Sequence, residues 1–122
     1  MMKSINEVIV SALKPIGLEI AEGLYEGDEE EFYTFSLADS HADDFGDNED
    51  LSLTYYVQIH YVCPWNYDYA DKVRKTRKAL KSAGFTYPSL TDYSDSENRI
   101  RHYIFECAIE NNFDLEEDEE NE

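Results

Sequence analysis

Apolar residues recur along this chain first at helical spacing, then at every second position, then at helical spacing again, and the change of period predicts the order of elements. Ile5, Val8, Ile9, Ala12 and Leu13 form one stripe along a helix. Ser4 stands before it with Glu7 three residues on, the arrangement in which hydroxyl and carboxylate each satisfy the other's backbone N–H. Pro15 and Gly17 end it. Gly17 to Ala21 alternates weakly and reads as a short strand, with Gly23 and Gly27 marking turns around Tyr25. Glu31 to Leu37 (EFYTFSL) is rich in residues that suit a pleated surface and predicts a second strand.

Ala38 to Asp50 (ADSHADDFGDNED) has no period and reads as a long connection, of the kind that is usually functional or mobile. Its acids do not make a calcium loop. Counted from Asp39, the sixth residue is Asp44 and the twelfth Asp50, where an EF-hand needs Gly and Glu. Leu51 to Cys63 is the clearest strand. Leu53, Tyr55, Val57, Ile59, Tyr61 and Cys63 lie on one face, and Thr54, Tyr56, Gln58, His60 and Val62 on the other. Asn66 or Asp68 caps a second helix running to about Ala83, with Gly84 as its stop. Ala70, Val73, the stem of Arg77 and Leu80 mark its inner stripe, and Asp68 and Asp71 are placed to pair with Lys72 and Lys75. Phe85 to Leu90 is extended, Asp92 to Asn98 is a polar turn, and Arg99 to Ile109 is the last strand, with Tyr103, Phe105, Cys107 and Ile109 on one face. The predicted order is α-β-β-β-α-β-β.

Length and composition agree with one packed domain of 122 residues. No run approaches the roughly 20 apolar residues that span a bilayer, and no signal peptide is visible, so a cytosolic, membrane-free chain is expected. The charge is lopsided, with 28 acidic against 10 basic residues and a net charge of −18. That balance disfavours binding nucleic acid through phosphates. Seven of the nine residues from Asp114 to Glu122 are acidic, so residues 113–122 are expected to be a disordered tail on a domain spanning 1–112. The tail serves either as a solubilising segment or as a contact for a basic partner surface. Lys72, Arg74, Lys75, Arg77, Lys78 and Lys81 put six of the ten basic residues on the second helix. They form either a solvated face balanced by its own neighbours or a ridge that meets the acidic surface of the next copy, which favours a head-to-tail ring.

The paired motifs HYVC (His60 to Cys63) and HYIFEC (His102 to Cys107) raise the question of zinc. Spacings of three and five in a strand send each His and Cys to opposite faces, so the four side chains cannot converge on a tetrahedral ion. The cysteines read as core thiols and the histidines as surface or interface residues. The third histidine, His41, lies in the acidic stretch, and a Cys107–His60 dyad would cross the sheet. There is no phosphate loop, and no catalytic, cofactor or metal site is indicated.

Taken together, Leu13, Pro15, Ile16, Gly17, then Gly23, Tyr25, Gly27, then Tyr33, Thr34, Phe35 give this chain the opening pattern of a known family. Ala83-Gly84-Phe85, Asp92-Tyr93-Ser94-Asp95 and His102 continue it. Across residues 5 to 110 the chain resembles the small tail-completion, or tail-terminator, proteins of long-tailed bacteriophages and prophages of Gram-positive bacteria. The resemblance implies an α+β fold, a mainly antiparallel sheet of about five strands with two helices packed on it. It implies a structural, non-enzymatic role: a ring, commonly a hexamer, that caps the major tail tube protein and offers a surface to the head's connector. The location implied is the head–tail interface of the virion, with assembly in the host cytoplasm. The candidate assembly interface is Asp39, Asp43, Asp44, Asp47, Glu49 and Asp50 with Arg74, Lys75, Lys78 and Lys81. An acidic ring lining would let DNA pass without sticking. The alternative from the charge alone is an acidic DNA mimic that blocks a basic host protein. The concentrated basic helix is what separates the two, since a mimic has no use for it.

Overall fold

A computed structural model describes residues 4–43 and 52–111. The elements follow the expected order: α1 (Ile5–Leu13), a 3-10 turn (Lys14–Ile16), β1 (Glu19–Glu22), β2 (Phe32–Asp43), β3 (Ser52–Pro64), α2 (Tyr69–Ser82), β4 (Ser89–Asp92) and β5 (Ile100–Asn111). The class is α+β. The strands form a single sheet in the order β1-β2-β3-β5-β4. Three pairings are antiparallel, and β1 lies parallel to β2.

Alternation in the three long strands decides where the core lies. Tyr33 and Phe35 of β2, Tyr55 to Cys63 at odd positions of β3, and Tyr103, Phe105, Cys107 and Ile109 of β5 are all buried in one cluster. Ile5, Ile9 and Leu13 of α1 and Leu80 of α2 close over it. Both helices therefore lie on one face, and no described element covers the other. Helix α1 starts as the sequence predicts: Ser4 Oγ accepts from Glu7 N at 3.2 Å and Glu7 Oε1 accepts from Ser4 N at 2.9 Å. Helix α2 is capped by Asp68, whose carboxylate accepts from Asp71 N at 3.4 Å. It ends at Gly84, held at φ 109°, a left-handed conformation that costs glycine little.

Three expectations are corrected. Ala38 to Asp50 is not one long connection, because β2 continues to Asp43 and pairs with β3 as far as Asp43 opposite Ser52. A register shift between Leu37 and Asp39 inserts one extra residue, and the ladder resumes beyond it. Asp39 and Asp43 are thus strand residues, while Asp44, Asp47, Glu49, Asp50 and the acidic tail lie outside the described residues. The inner stripe of α2 is rotated from the predicted one: Ala70 is exposed, and Thr76 is fully buried beside Leu80. The polar Thr76 is tolerated because it is bonded at both ends. Its Oγ1 donates to Lys72 O at 2.6 Å and accepts from the Tyr33 hydroxyl at 2.5 Å. Burial pushes the Tyr33 phenol up to about 12, which keeps it a proton donor. Finally, the pairing of Asp68 with Lys72 does not form, since Lys72 reaches Glu31 across the fold instead.

The turn from Gly23 to Glu31, which joins two parallel strands, is built around one ring. Tyr25 stacks on Phe32 with centroids 4.1 Å apart, and its hydroxyl accepts from Glu29 N at 2.9 Å. A Cβ on Gly27 would sit 2.3 Å from the Tyr25 hydroxyl, so any side chain there has to displace the stacked ring. At the start of α2, Arg101 fills the gap between the Trp65 and Tyr69 rings, 4.2 Å from each centroid, and donates to Trp65 O at 2.7 Å.

Two outcomes follow for chemical denaturation. Thr76→Val leaves the buried Tyr33 hydroxyl without its partner and lowers stability by about 1–3 kcal/mol, whereas Tyr33→Phe costs less because Thr76 keeps its bond to Lys72 O. Adding Tyr33→Phe to Thr76→Val recovers part of the loss; a double variant as damaged as the sum of the singles would refute the bond's role. Gly27→Ala displaces the Tyr25 ring and costs about 1 kcal/mol or more, and a Gly27→Ala chain with unchanged urea midpoint would contradict that packing.

Candidate functional site

Helix α2 concentrates positive charge, and the fold sorts it into spent and unspent groups. Lys72 Nζ lies 3.1 Å from Glu31 Oε2, with both side chains largely shielded, and the same oxygen accepts from the Tyr61 hydroxyl at 2.5 Å. Arg74 and Lys75 both bind Asp71, Lys75 at 3.1 Å. Lys75 is the main reason the Asp71 carboxyl titrates below the usual carboxylate range. Arg77, Lys78 and Lys81 have no acid partner among the described residues. The Arg77 guanidinium lies 5.0 Å above the Tyr87 ring, and its Nε is buried without a hydrogen-bond partner. Of the expected interface, then, Arg74, Lys75, Lys78 and Lys81 share one helix, but the first two are already paired within it. Arg77, read from the sequence both as a stem in the inner stripe and as part of the basic ridge, is half-buried with its guanidinium over Tyr87.

The uncovered sheet face carries the two strand histidines. In the β3–β5 register His60 lies opposite Ile104 and Val62 opposite His102, which makes the two rings diagonal neighbours. His60 Nδ1 and His102 Nε2 are 2.8 Å apart, one donating and the other accepting. Sequence parity assigns both to this face but not to each other, because the adjacency of β3 and β5 is not written in either strand alone. Tyr93 lies beside His102, with ring centroids 6.2 Å apart. Burial pulls both imidazoles below their ordinary value; for His60 the neighbouring His102 adds to this and Glu106 opposes it. A pair sharing one proton has to break if both rings are charged.

Cys63 and Cys107 are free thiols buried on the helix side of the sheet, opposite the histidines. Burial pushes the Cys107 thiol up to about 12 and raises Cys63 as well, so neither is a ready nucleophile near neutrality. Among the described residues, no three His, Cys, Asp or Glu side chains converge in a way that could hold a metal ion. No described helix is long and apolar enough to cross a membrane.

No family model matches this chain, and no curated protein matches it.

The histidine pair has a sign that can be measured. Both rings bind protons more readily in the unfolded chain, so unfolding takes up protons just below the ordinary value of about 6.5. Stability is complete above about pH 6.5 and declines as the pH falls from there toward the lowered folded values. The carboxylates with shifted pKa values, Asp71, Asp92 and Asp95, are all displaced downward and act at lower pH. Urea midpoints at about pH 7.5 and about pH 5.5 are expected to fall in the native chain and to fall less in His60→Gln/His102→Gln. Equal slopes in the two chains would remove the pair from the account.

Proposed function

We propose that this chain is a structural assembly protein of a bacteriophage tail, a terminator subunit that forms a ring on the tail tube and joins it to the head connector. One observation carries the reading: a net charge of −18 with six of ten basic residues on α2, three of which have no acid partner among the described residues. A surface divided in this way is complementary to a rotated copy of itself. Such a contact joins two different faces, and it closes into a ring when the rotation divides a full turn. The resemblance across residues 5 to 110 supports the ring and its place at the head–tail interface. The acids that face α2 across the contact are drawn from Asp39 and Asp43, at the far end of β2, and from Asp44, Asp47, Glu49 and Asp50. An acidic channel repels phosphate, so DNA passes it freely.

Light scattering on the purified protein, alone and with tail tubes from the same phage, tests this. A ring-sized mass, or one that appears only with tubes, is expected at about 0.1 M salt and is expected to weaken by about 0.5 M as screening shortens the reach of the charges. Lys78→Glu/Lys81→Glu lowers assembly at least about tenfold while leaving thermal unfolding within a few degrees, since both residues are exposed. A mass that stays monomeric or dimeric and ignores tubes would favour the DNA mimic instead.

A further inference from the structure

Between α2 and β4 runs a groove of about 500 Å3 whose floor is apolar and whose rim is basic. Val73, Leu90 and Tyr87 form the floor; Arg77, Lys78 and Lys81 stand along the rim. Tyr87 is 64% exposed, so most of its ring is open to solvent. The Arg77 Nε is the one buried side-chain polar atom among the described residues that has no hydrogen-bond partner. The Arg77 guanidinium, 5.0 Å above the Tyr87 ring, carries its charge to the same lining without an acid partner among the described residues. The groove thus asks for a ligand with an apolar or aromatic anchor next to a run of carboxylates.

The chain carries such a segment. Phe113-Asp114-Leu115 supplies two apolar side chains, and Glu116 to Glu120 supplies five consecutive acids. It also starts in the right place. Ala108 is bonded to Thr86 in both directions, its carbonyl accepting from Thr86 N at 2.8 Å and its N–H donating to Thr86 Oγ1 at 3.1 Å. Ile109 reaches the end of α2, with its Cδ1 only 3.3 Å from where a Cβ on Gly84 would be. The strand therefore leaves the fold beside Tyr87 and the last turn of α2, where Lys81 stands. From Arg74 to Lys81 the helix spans about 10 Å. The eleven residues beyond Asn111 can extend about 36 Å, ample to turn back along it.

We propose that the groove between α2 and β4 is the docking site of the chain's own acidic C-terminal segment, Phe113–Glu122, bound within the same molecule. Phe113 and Leu115 occupy the apolar floor, and the following carboxylates pair with Arg77, Lys78 and Lys81. The docking does not depend on the ring. If the ring reading is also right, the tail shields in the free subunit the basic face that a neighbouring copy needs, and its release accompanies assembly.

Carbodiimide cross-linking of the full chain, which joins lysine amines to nearby carboxylates, separates the possibilities when equal parts of unlabelled and nitrogen-15-labelled protein are mixed. Lys75 joined to Asp71, already 3.1 Å apart, verifies the reaction. Links from Lys78 and Lys81 to Glu116–Glu120 are expected within one isotope only, and are expected to fall at least about fivefold at about 0.5 M salt. Phe113→Ser and Arg77→Gln each leave both lysines in place and are expected to lower these links by a similar factor. Links found only between differently labelled copies would assign the groove to a neighbour's tail and overturn the proposal. Tail links no more frequent at Lys78 and Lys81 than at Lys14, or indifferent to Phe113→Ser, would overturn it as well.

Discussion

Everything in this fold hangs on β3 being in the middle. It pairs with β2 on one side and β5 on the other along nearly its whole length, so the alternation of its side chains is imposed on both neighbours. A slip of one residue in either pairing would carry Tyr33, Phe35, Phe105 and Cys107 from the helix side to the water side. The core is correspondingly aromatic. Tyr33, Tyr55, Tyr61, Phe85 and Phe105 are among its largest fully buried side chains. Tyrosine in that position demands a partner for its hydroxyl, and the partners tie layers together. Tyr33 reaches Thr76 on α2, and Tyr61 reaches Glu31, which Lys72 of α2 also holds. The same apolar stripe that positions the helix is thus edged by polar bonds that fix its rotation.

Much of this was legible in the residues. The capping box at Ser4, the face of Leu53 to Cys63, the stop at Gly84 and the order of elements all arise from short-range rules, and the structure agrees with them. What escaped were long-range facts. Thr76 is polar, so a hydrophobic count cannot see that it is interior; only Tyr33, forty-three positions away, makes it so. Ala38 to Asp43 lacks the residues a strand prefers, yet β3 supplies a ladder for it, and pairing overrides propensity. The parallel setting of β1 against β2 depends on the turn around Tyr25. The candidate basic surface was visible as a cluster in the sequence, but its division into paired and unpaired charges required the positions of Asp71 and Glu31 in space.

Two chemically different surfaces therefore lie on opposite sides of the sheet. Cations with no acid partner among the described residues stand on the helix layer, beside an exposed tyrosine and a groove with an apolar lining. Across the sheet, a hydrogen-bonded histidine pair sits in a face that no described helix covers. The first responds to ionic strength and the second to acidity, and the sheet between them holds both at fixed separation because its three long strands cannot shift independently.

The shortness of β1 has a further consequence. It covers β2 only from Phe32 to Phe35, so along Ser36 to Asp43 the outer backbone of β2 meets no strand among the described residues. An uncovered row of amides and carbonyls is a template on which any extended peptide can zip, including the same segment of another molecule. Here the row is interrupted by an extra residue at Ala38 and punctuated by Asp39 and Asp43. A second strand laid along this border would meet uneven spacing at the extra residue, so the bulge itself disfavours a continuous ladder there.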